Sequence, residues 1–281
     1  MTRPPAVIAV AGYESAFGEA LRGLMPAGVE VAARGRELHR LAAGLTGRGQ
    51  VVCVVPMTLG RDPRLVADTA RTLLALPAAQ RAGVMLSAPF GTPVHLIGWL
   101  RGLARRTPAD HALLVTAPTG GIDEDAELFR ISRTVRQYGR HRLVETALAG
   151  GDPDPAEGVR RCRLLGARRV ALLPAAFGTA EAPAGAAPAD GTVRAVGPLL
   201  GPAGLAGVLR ARVAEAVHRR EHGIDGLAAG AAADHDHGPA HSHGPDADHD
   251  HSRTPGAAAC PSSRSTSTAT ATSRSTPAAA H

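Results

Sequence analysis

The chain has 281 residues with 31 basic and 25 acidic side chains, a formal charge of +6, and every basic residue is arginine. Its hydrophobic share of 44% supports a sizeable core, but aromatics are 2%, so the core must be close-packed Ala, Val and Leu, and base stacking has little to work with. Three widely spaced cysteines exclude a disulfide framework, and no apolar run approaches the roughly 18 residues of a membrane helix, so a reducing, cytoplasmic setting without nucleic-acid or membrane partners is expected.

The apolar run in "MTRPPAVIAVAG" is too short for a signal peptide and reads instead as a buried strand. "SAFGEALRGLM" follows as a helix with Phe17, Leu21 and Leu24 on one face. "VEVAAR" and "RELHRLAAGL" repeat strand then helix. "QVVCVVP", ended by Pro56, is the most strand-like run, and "PRLVADTARTLLAL" follows as a helix with Pro63 in its first turn. "AGVMLSAP" and "PVHLIGWLRGLARR" close a first unit near residue 106. Strands alternating with helices in this way imply a parallel sheet.

The pattern then restarts. "HALLVTAP" is a strand, and "DEDAELFRISRTVRQYG" a helix opened by Asp123, Glu124 and Asp125, which the helix dipole favours there, and stopped near Gly139. "HRLVETAL", "DPAEGVRRCRLLG", "RRVALLP", "TVRAVGP" and "AGLAGVLRARVAEAVHRR" complete a second unit. The letters themselves repeat: "PFGTPVHLIGWLR" at 89–101 aligns without gaps on "PLLGPAGLAGVLR" at 198–210, and "VVCVVPMTLG" at 51–60 parallels "RVALLPAAFG" at 169–178. The expected architecture is therefore α/β, two repeats of one small parallel-sheet domain at 1–107 and 108–222. Where the second repeat should carry its third helix stands "TAEAPAGAAPADG", a loop by its Pro and Gly content.

Residues 223–281 show no apolar periodicity and are expected to be a disordered tail, rich first in His and Asp and then in Ser, Thr and Ala. Its "HDHGPAHSHGPDADHDH" holds three His-x-His units, His235/His237, His241/His243 and His249/His251. Two imidazoles at i and i+2 can chelate one divalent ion, with neighbouring units or aspartates completing the sphere. Such a tail stores ions and catalyses nothing by itself.

"LLVTAPTGGIDEDAELFRISRTVRQYG", "VETALAGGDPDPAEGVRRCRLLGARRVALLP", "VVCVVPMTLGRDPRLVADTARTL" and "APFGTPVHLIGWL" are the residues on which the chain resembles the class II, ATP-independent tetrapyrrole chelatases, in particular the long CbiX-type sirohydrochlorin cobaltochelatases. The resemblance implies a tetrapyrrole partner such as sirohydrochlorin and a divalent metal, cobalt or nickel first, with iron and zinc as further candidates. It also implies two histidines at strand ends that hold the metal and take the pyrrole protons. Against that pattern "GYES" places Tyr13 where the first histidine is expected, and eight residues beyond Pro56 stands Arg64 in place of the second. The corresponding turn of the second repeat offers Ala117 and Pro118. Tyr13, Glu14 and Arg64 are then the candidate catalytic replacements, and Ser15 and His95 candidate substrate contacts. The competing reading makes Tyr13 and Glu14 packed turn residues, Arg64 a solvated helix residue and His95 a capping one. His39, His111 and His141 read as structural, Cys53 as a buried core residue, and Cys162 as partly exposed. A catalytically degenerate, metal- or tetrapyrrole-binding member of the family is the alternative to an active enzyme.

Overall fold

The computed structural model of the chain describes residues 3–183 and 192–234. The first half runs β1 (Ala6–Ala11), α1 (Glu19–Arg22), β2 (Val29–Ala33), α2 (Arg36–Gly47), β3 (Val52–Met57), α3 (Pro63–Leu74), α4 (Ala78–Arg81), β4 (Val84–Leu86) and α5 (Pro93–Arg106). The second runs β5 (Ala112–Pro118), α6 (Ile122–Gln137), β6 (Val144–Ala149), α7 (Pro155–Leu164), β7 (Val170–Pro174), β8 (Val193–Ala195) and α8 (Pro202–Glu221), and is followed by α9 (Leu227–Ala231). Each half is a four-stranded, wholly parallel sheet, in the orders β2-β1-β3-β4 and β6-β5-β7-β8. The identical order is the structural form of the repeat in the sequence, and the loop expected at 179–191 lies largely outside the described residues.

Strand residues alternate between two faces, and this period of two builds three cores. Ile8, Val10, Val52 and Val54 point outward under α2 and α3. Ala112, Leu114, Val170 and Leu172 do the same under α7. The intervening Ala9, Ala11, Cys53, Val55, Leu113, Val115, Ala171 and Leu173 point inward, and these inner faces share a single core with Leu96, Leu100 and Leu103 of α5 and Leu205 and Leu209 of α8. The two helices are exchanged in their packing. Helix α5 of the first half packs against β7 and α6, and α8 of the second half packs against β3 and β4. Neither inner face is covered without an element from the other half.

Three helices begin with one device: an acceptor side chain at the cap followed by proline. Asp62, Thr92 and Asp154 accept from the backbone N–H of Leu65 (2.9 Å), His95 (3.4 Å) and Glu157 (2.7 Å), each just before Pro63, Pro93 or Pro155. Proline fixes φ for a first turn whose N–H would be unpaired anyway.

Three expectations are corrected. The helix expected from Ser15 does not start there: Tyr13–Gly18 is an irregular 3-10 segment in which Ala16 and Phe17 take left-handed backbone angles (φ 49° and 52°), the α-helix is confined to Glu19–Arg22, and Phe17 is exposed while Leu21 enters the core. The Ser15 hydroxyl donates to the Gly12 carbonyl at 2.9 Å, closing a tight turn in place of the first helical turn. Cys162 is fully buried, and burial pushes its thiol up to about 12. The stretch after residue 223 is not without structure throughout. Helix α9 packs on α3, with Leu227 in the outer core of the first half, and the backbone is described as far as Asp234. Cys53 is fully buried, as expected. Among the described residues no helix is long and apolar enough to cross a membrane.

Because the inner core is common property, Leu209→Ala should cost about 2–5 kcal/mol, the usual range for a buried Leu-to-Ala change. Urea unfolding followed by probes in each half should show one transition displaced for both; separate transitions would show that the halves are not coupled by this core.

Candidate functional site at the strand ends

In parallel α/β sheets the ligand crevice lies beyond the carboxyl ends of the strands. Here the ends of β1, β3 and β5 are filled by a buried polar cluster centred on Arg61, whose side chain has no solvent exposure. Its Nε stands 3.5 Å from Glu14 Oε1 and its Nη1 4.0 Å from Asp125 Oδ1. Nη1 donates to the Glu124 carbonyl and Nη2 to the Pro118 carbonyl, both at 3.4 Å. The guanidinium carbon lies 5.4 Å from the centre of the Tyr13 ring, a cation–π arrangement, and the Tyr13 hydroxyl donates to the Arg61 carbonyl at 3.1 Å. One cation from the β3–α3 loop is thus coordinated by groups from the turn after β1, the end of β5 and the first turn of α6.

Glu14 is held from several directions. Besides Arg61, its Oε2 accepts from the Thr58 hydroxyl and from the Leu59 N–H at 2.9 Å. Burial, opposed by Arg61 and these hydrogen bonds, leaves its carboxyl above the ordinary value of 4.5. Burial, together with the neighbouring Glu14 charge, pushes the Tyr13 phenol upward as well, so it stays protonated at neutral pH. Asp125 is fixed by the Thr119 hydroxyl (2.7 Å) and the Gly120 N–H (2.9 Å). Tyr13 lies against Gly120 so closely that a side chain there would overlap its ring.

Two cavities flank the cluster. One, of about 500 Å³, is lined by Arg61, Arg64, Glu124, Glu127, Arg130 and Asp234. The other, of about 510 Å³, lies over the strand ends of the second half, with Glu14, Ala16, Ala117, Pro118, Asp154 and Pro174 among its lining.

The structure brings Tyr13 and Glu14 together with each other, but as members of a closed bridge. Ser15 is buried and turned to its own backbone. Arg64 is exposed at the wall of the first cavity, 3.9 Å from Glu124. His95 is exposed on α5, with Nδ1 2.8 Å from the Thr92 hydroxyl and its ring stacked on Trp99, and lines neither cavity. His111 pairs with Asp110 at 3.0 Å and His141 with the Pro108 carbonyl at 3.1 Å. His235, His237, His241, His243, His249 and His251 lie outside the described residues. Among the described residues no group of three or more His, Cys, Asp or Glu side chains is placed to hold a metal ion. Arg61, Asp125 and Arg130 escaped the sequence reading. The signal for Arg61 was present: it precedes a helix cap, at the end of a buried parallel strand, where ligand-facing or bridging side chains collect.

These features define a doubled parallel α/β protein with charged cavities at the strand ends between its halves. In sequence, a stretch of 71 residues is 38% identical to the sirohydrochlorin cobaltochelatase of Priestia megaterium, spanning 24% of this chain and 23% of that protein. The chain is therefore similar to the sirohydrochlorin cobaltochelatases over about a quarter of their length. No family model matches the chain. Among solved structures, a multi-domain protein of Deinococcus radiodurans, described as structurally similar to chelatases but with two additional novel domains, aligns at a TM-score of 0.45 and 18% identity. That alignment covers 78% of this chain and 60% of that one.

Removing the guanidinium with Arg61→Met leaves the Glu14 carboxylate buried without its counter-charge, at a cost of about 3–5 kcal/mol. Since Glu14 has a raised folded-state pKa, its contribution to stability is fully present below the unfolded value of 4.5 and declines as pH rises through the folded one. The variant's deficit should therefore be largest at mildly alkaline pH and shrink on acidification, as Glu14 takes up a proton. Denaturant titrations at the two pH values check it.

Proposed function

We propose that the chain is a sirohydrochlorin chelatase-like protein: it holds a carboxylate-rich tetrapyrrole at the cavity between its halves and handles a divalent metal, cobalt or nickel first, through its histidine-rich tail. The identity over 71 residues to a sirohydrochlorin cobaltochelatase supports the substrate class. One geometric observation carries the rest. The described chain ends at Asp234, on the wall of the cavity of about 500 Å³ that Arg61, Arg64 and Arg130 also line.

His235 is the next residue, and covalent geometry limits His237 to about 11 Å from Asp234. The first His-x-His unit is therefore within a few residues, in sequence, of the cavity wall at Asp234. Arginine forks suit the carboxylates of a tetrapyrrole, and Arg64, largely exposed, is free to turn to one. Metal insertion needs a ligand that releases its ion and a base that takes pyrrole protons. Imidazole does both, since it binds borderline divalent metals and titrates near neutrality.

A second reading has its own support. Tyr13 is held protonated and Glu14 is locked by Thr58, Leu59 and Arg61, so neither is presented as an open metal ligand. On this reading the chain binds tetrapyrrole and metal without accelerating their union.

Anaerobic incubation with sirohydrochlorin and cobalt, nickel or iron, following the macrocycle's absorbance, separates the two. Acceleration over the uncatalysed rate supports the chelatase; saturable binding without acceleration supports the second reading; neither would overturn both. Arg64→Ala should weaken sirohydrochlorin binding by about tenfold, or 1.4 kcal/mol, measured by fluorescence quenching. Replacing His235, His237, His241, His243, His249 and His251 by alanine should remove most of the nickel or cobalt retained in equilibrium dialysis, and unchanged retention would refute the role given to the tail.

A further inference from the structure

Behind a wall made by Gly60, Pro63 and Pro93 lies another cavity, of about 360 Å³. It opens at the carboxyl ends of β3 and β4, where Thr58 and Ser87 stand, and α9 forms one side of it. Helix α9 is anchored by Leu227 in the outer core. Gly226 and Gly230 let it approach Leu86 so closely that a side chain at either would overlap it. What it turns to the cavity is small, Ala229 and Ala233, so docking the helix leaves the space unfilled. The remaining lining is largely aliphatic, with Val66, Leu86 and Pro89, and the size falls within the range of small-ligand pockets.

The polar groups around this cavity are mostly committed. The Thr58 hydroxyl donates to Glu14, the Ser87 hydroxyl donates to the Ala88 carbonyl at 2.7 Å, and Asp62 caps α3. Arg219 of α8 is not. Its Nη2 reaches the Leu86 carbonyl only at 3.5 Å, the limit of a hydrogen bond, and the half-buried side chain lines the cavity. Among the described residues no carboxylate forms an ion pair with it. A guanidinium on a mainly apolar cavity wall with one marginal hydrogen bond and no ion pair is matched by an anion, which its planar fork of donors suits.

We infer that this cavity is a binding site for a small monocarboxylate with an apolar body, its carboxylate on Arg219 and its apolar end against Val66 and Leu86. The chemistry selects one negative charge: Arg219 is the single cation of the lining, and the Asp62 carboxyl on the same wall disfavours a second charge. This site is separate from the tetrapyrrole cavity and does not depend on the function proposed for it.

The test is calorimetric titration of the full-length protein with hexanoate and benzoate, each against its neutral partner, hexanol or benzyl alcohol. The carboxylates should bind saturably in the millimolar range or tighter and at least tenfold more tightly than the alcohols. Arg219→Gln should reduce the carboxylates to the level of the alcohols, and Ala88→Phe, which occupies the cavity while leaving the Arg219 charge in place, should abolish binding of all four. Arg64→Ala should change none of these values. Absence of saturable carboxylate binding at millimolar concentration, or binding unchanged in Ala88→Phe, would overturn the inference. If Arg219→Gln fails to fold, the comparison of acid with alcohol and the Ala88→Phe variant decide it.

Discussion

A guanidinium without solvent access has to be surrounded by acceptors, and the strand ends of both halves are arranged around Arg61 to supply them. The acceptors come from opposite sides: Glu14 from the first half, and Asp125 with the Glu124 and Pro118 carbonyls from the second. A buried ion pair adds little net stability compared with an apolar replacement, but a broken one is costly, so its main effect is to specify one arrangement. The left-handed turn at Ala16 and Phe17 follows from the same demand. A helix starting at Ser15, as the apolar spacing suggests, would leave the chain to rise regularly at that point. The tight turn instead buries Glu14 among Thr58, Leu59 and Arg61.

The exchange of α5 and α8 serves the same junction from below. Each inner sheet face is apolar along every second strand residue and is covered by helices of both halves, so the halves share their largest core. The arginines of α8 reinforce this by reaching the first half's backbone: Arg212 to Phe90, Arg219 to Leu86 and Arg220 to Ala82. A junction of this kind fixes the spacing of the strand-end cavities.

Much of the fold was legible because it rests on local rules. Strand runs such as "QVVCVVP", the Asp-Pro and Thr-Pro helix starts, and the in-register repeat of "PFGTPVHLIGWLR" with "PLLGPAGLAGVLR" depend on periodicity and capping, and β3, α3, α5, α7 and α8 follow them. The site was less legible, because burial of a charge is decided by partners distant in sequence. Its place before the helix cap marks Arg61 as near the strand ends, but not as buried: it is sealed among residues up to 64 positions away, while Arg64, three residues on, is exposed. Likewise the small residues of α9 read as low complexity; their value lies in fitting between Leu86 and α3, which no periodicity reveals.

The placement of α9 also alters what the histidine-rich stretch means. A tail leaving the fold directly after α8 would start at the far end of that helix, where His222 forms the cap. Instead the chain doubles back: Asp225 accepts the Leu227 N–H, α9 lies along α3, and Asp234 meets Arg71 of α3 at 2.5 Å beside the cavity that both arginines and carboxylates line. Residues 223–234, mostly glycine and alanine, thus carry the chain from the end of α8 to the strand-end face. The effective concentration of a tethered ligand rises as its linker shortens toward the span it must cover. On the function proposed above, a segment attached beyond Asp234 therefore has a short path to that cavity, and one attached at the end of α8 a long one.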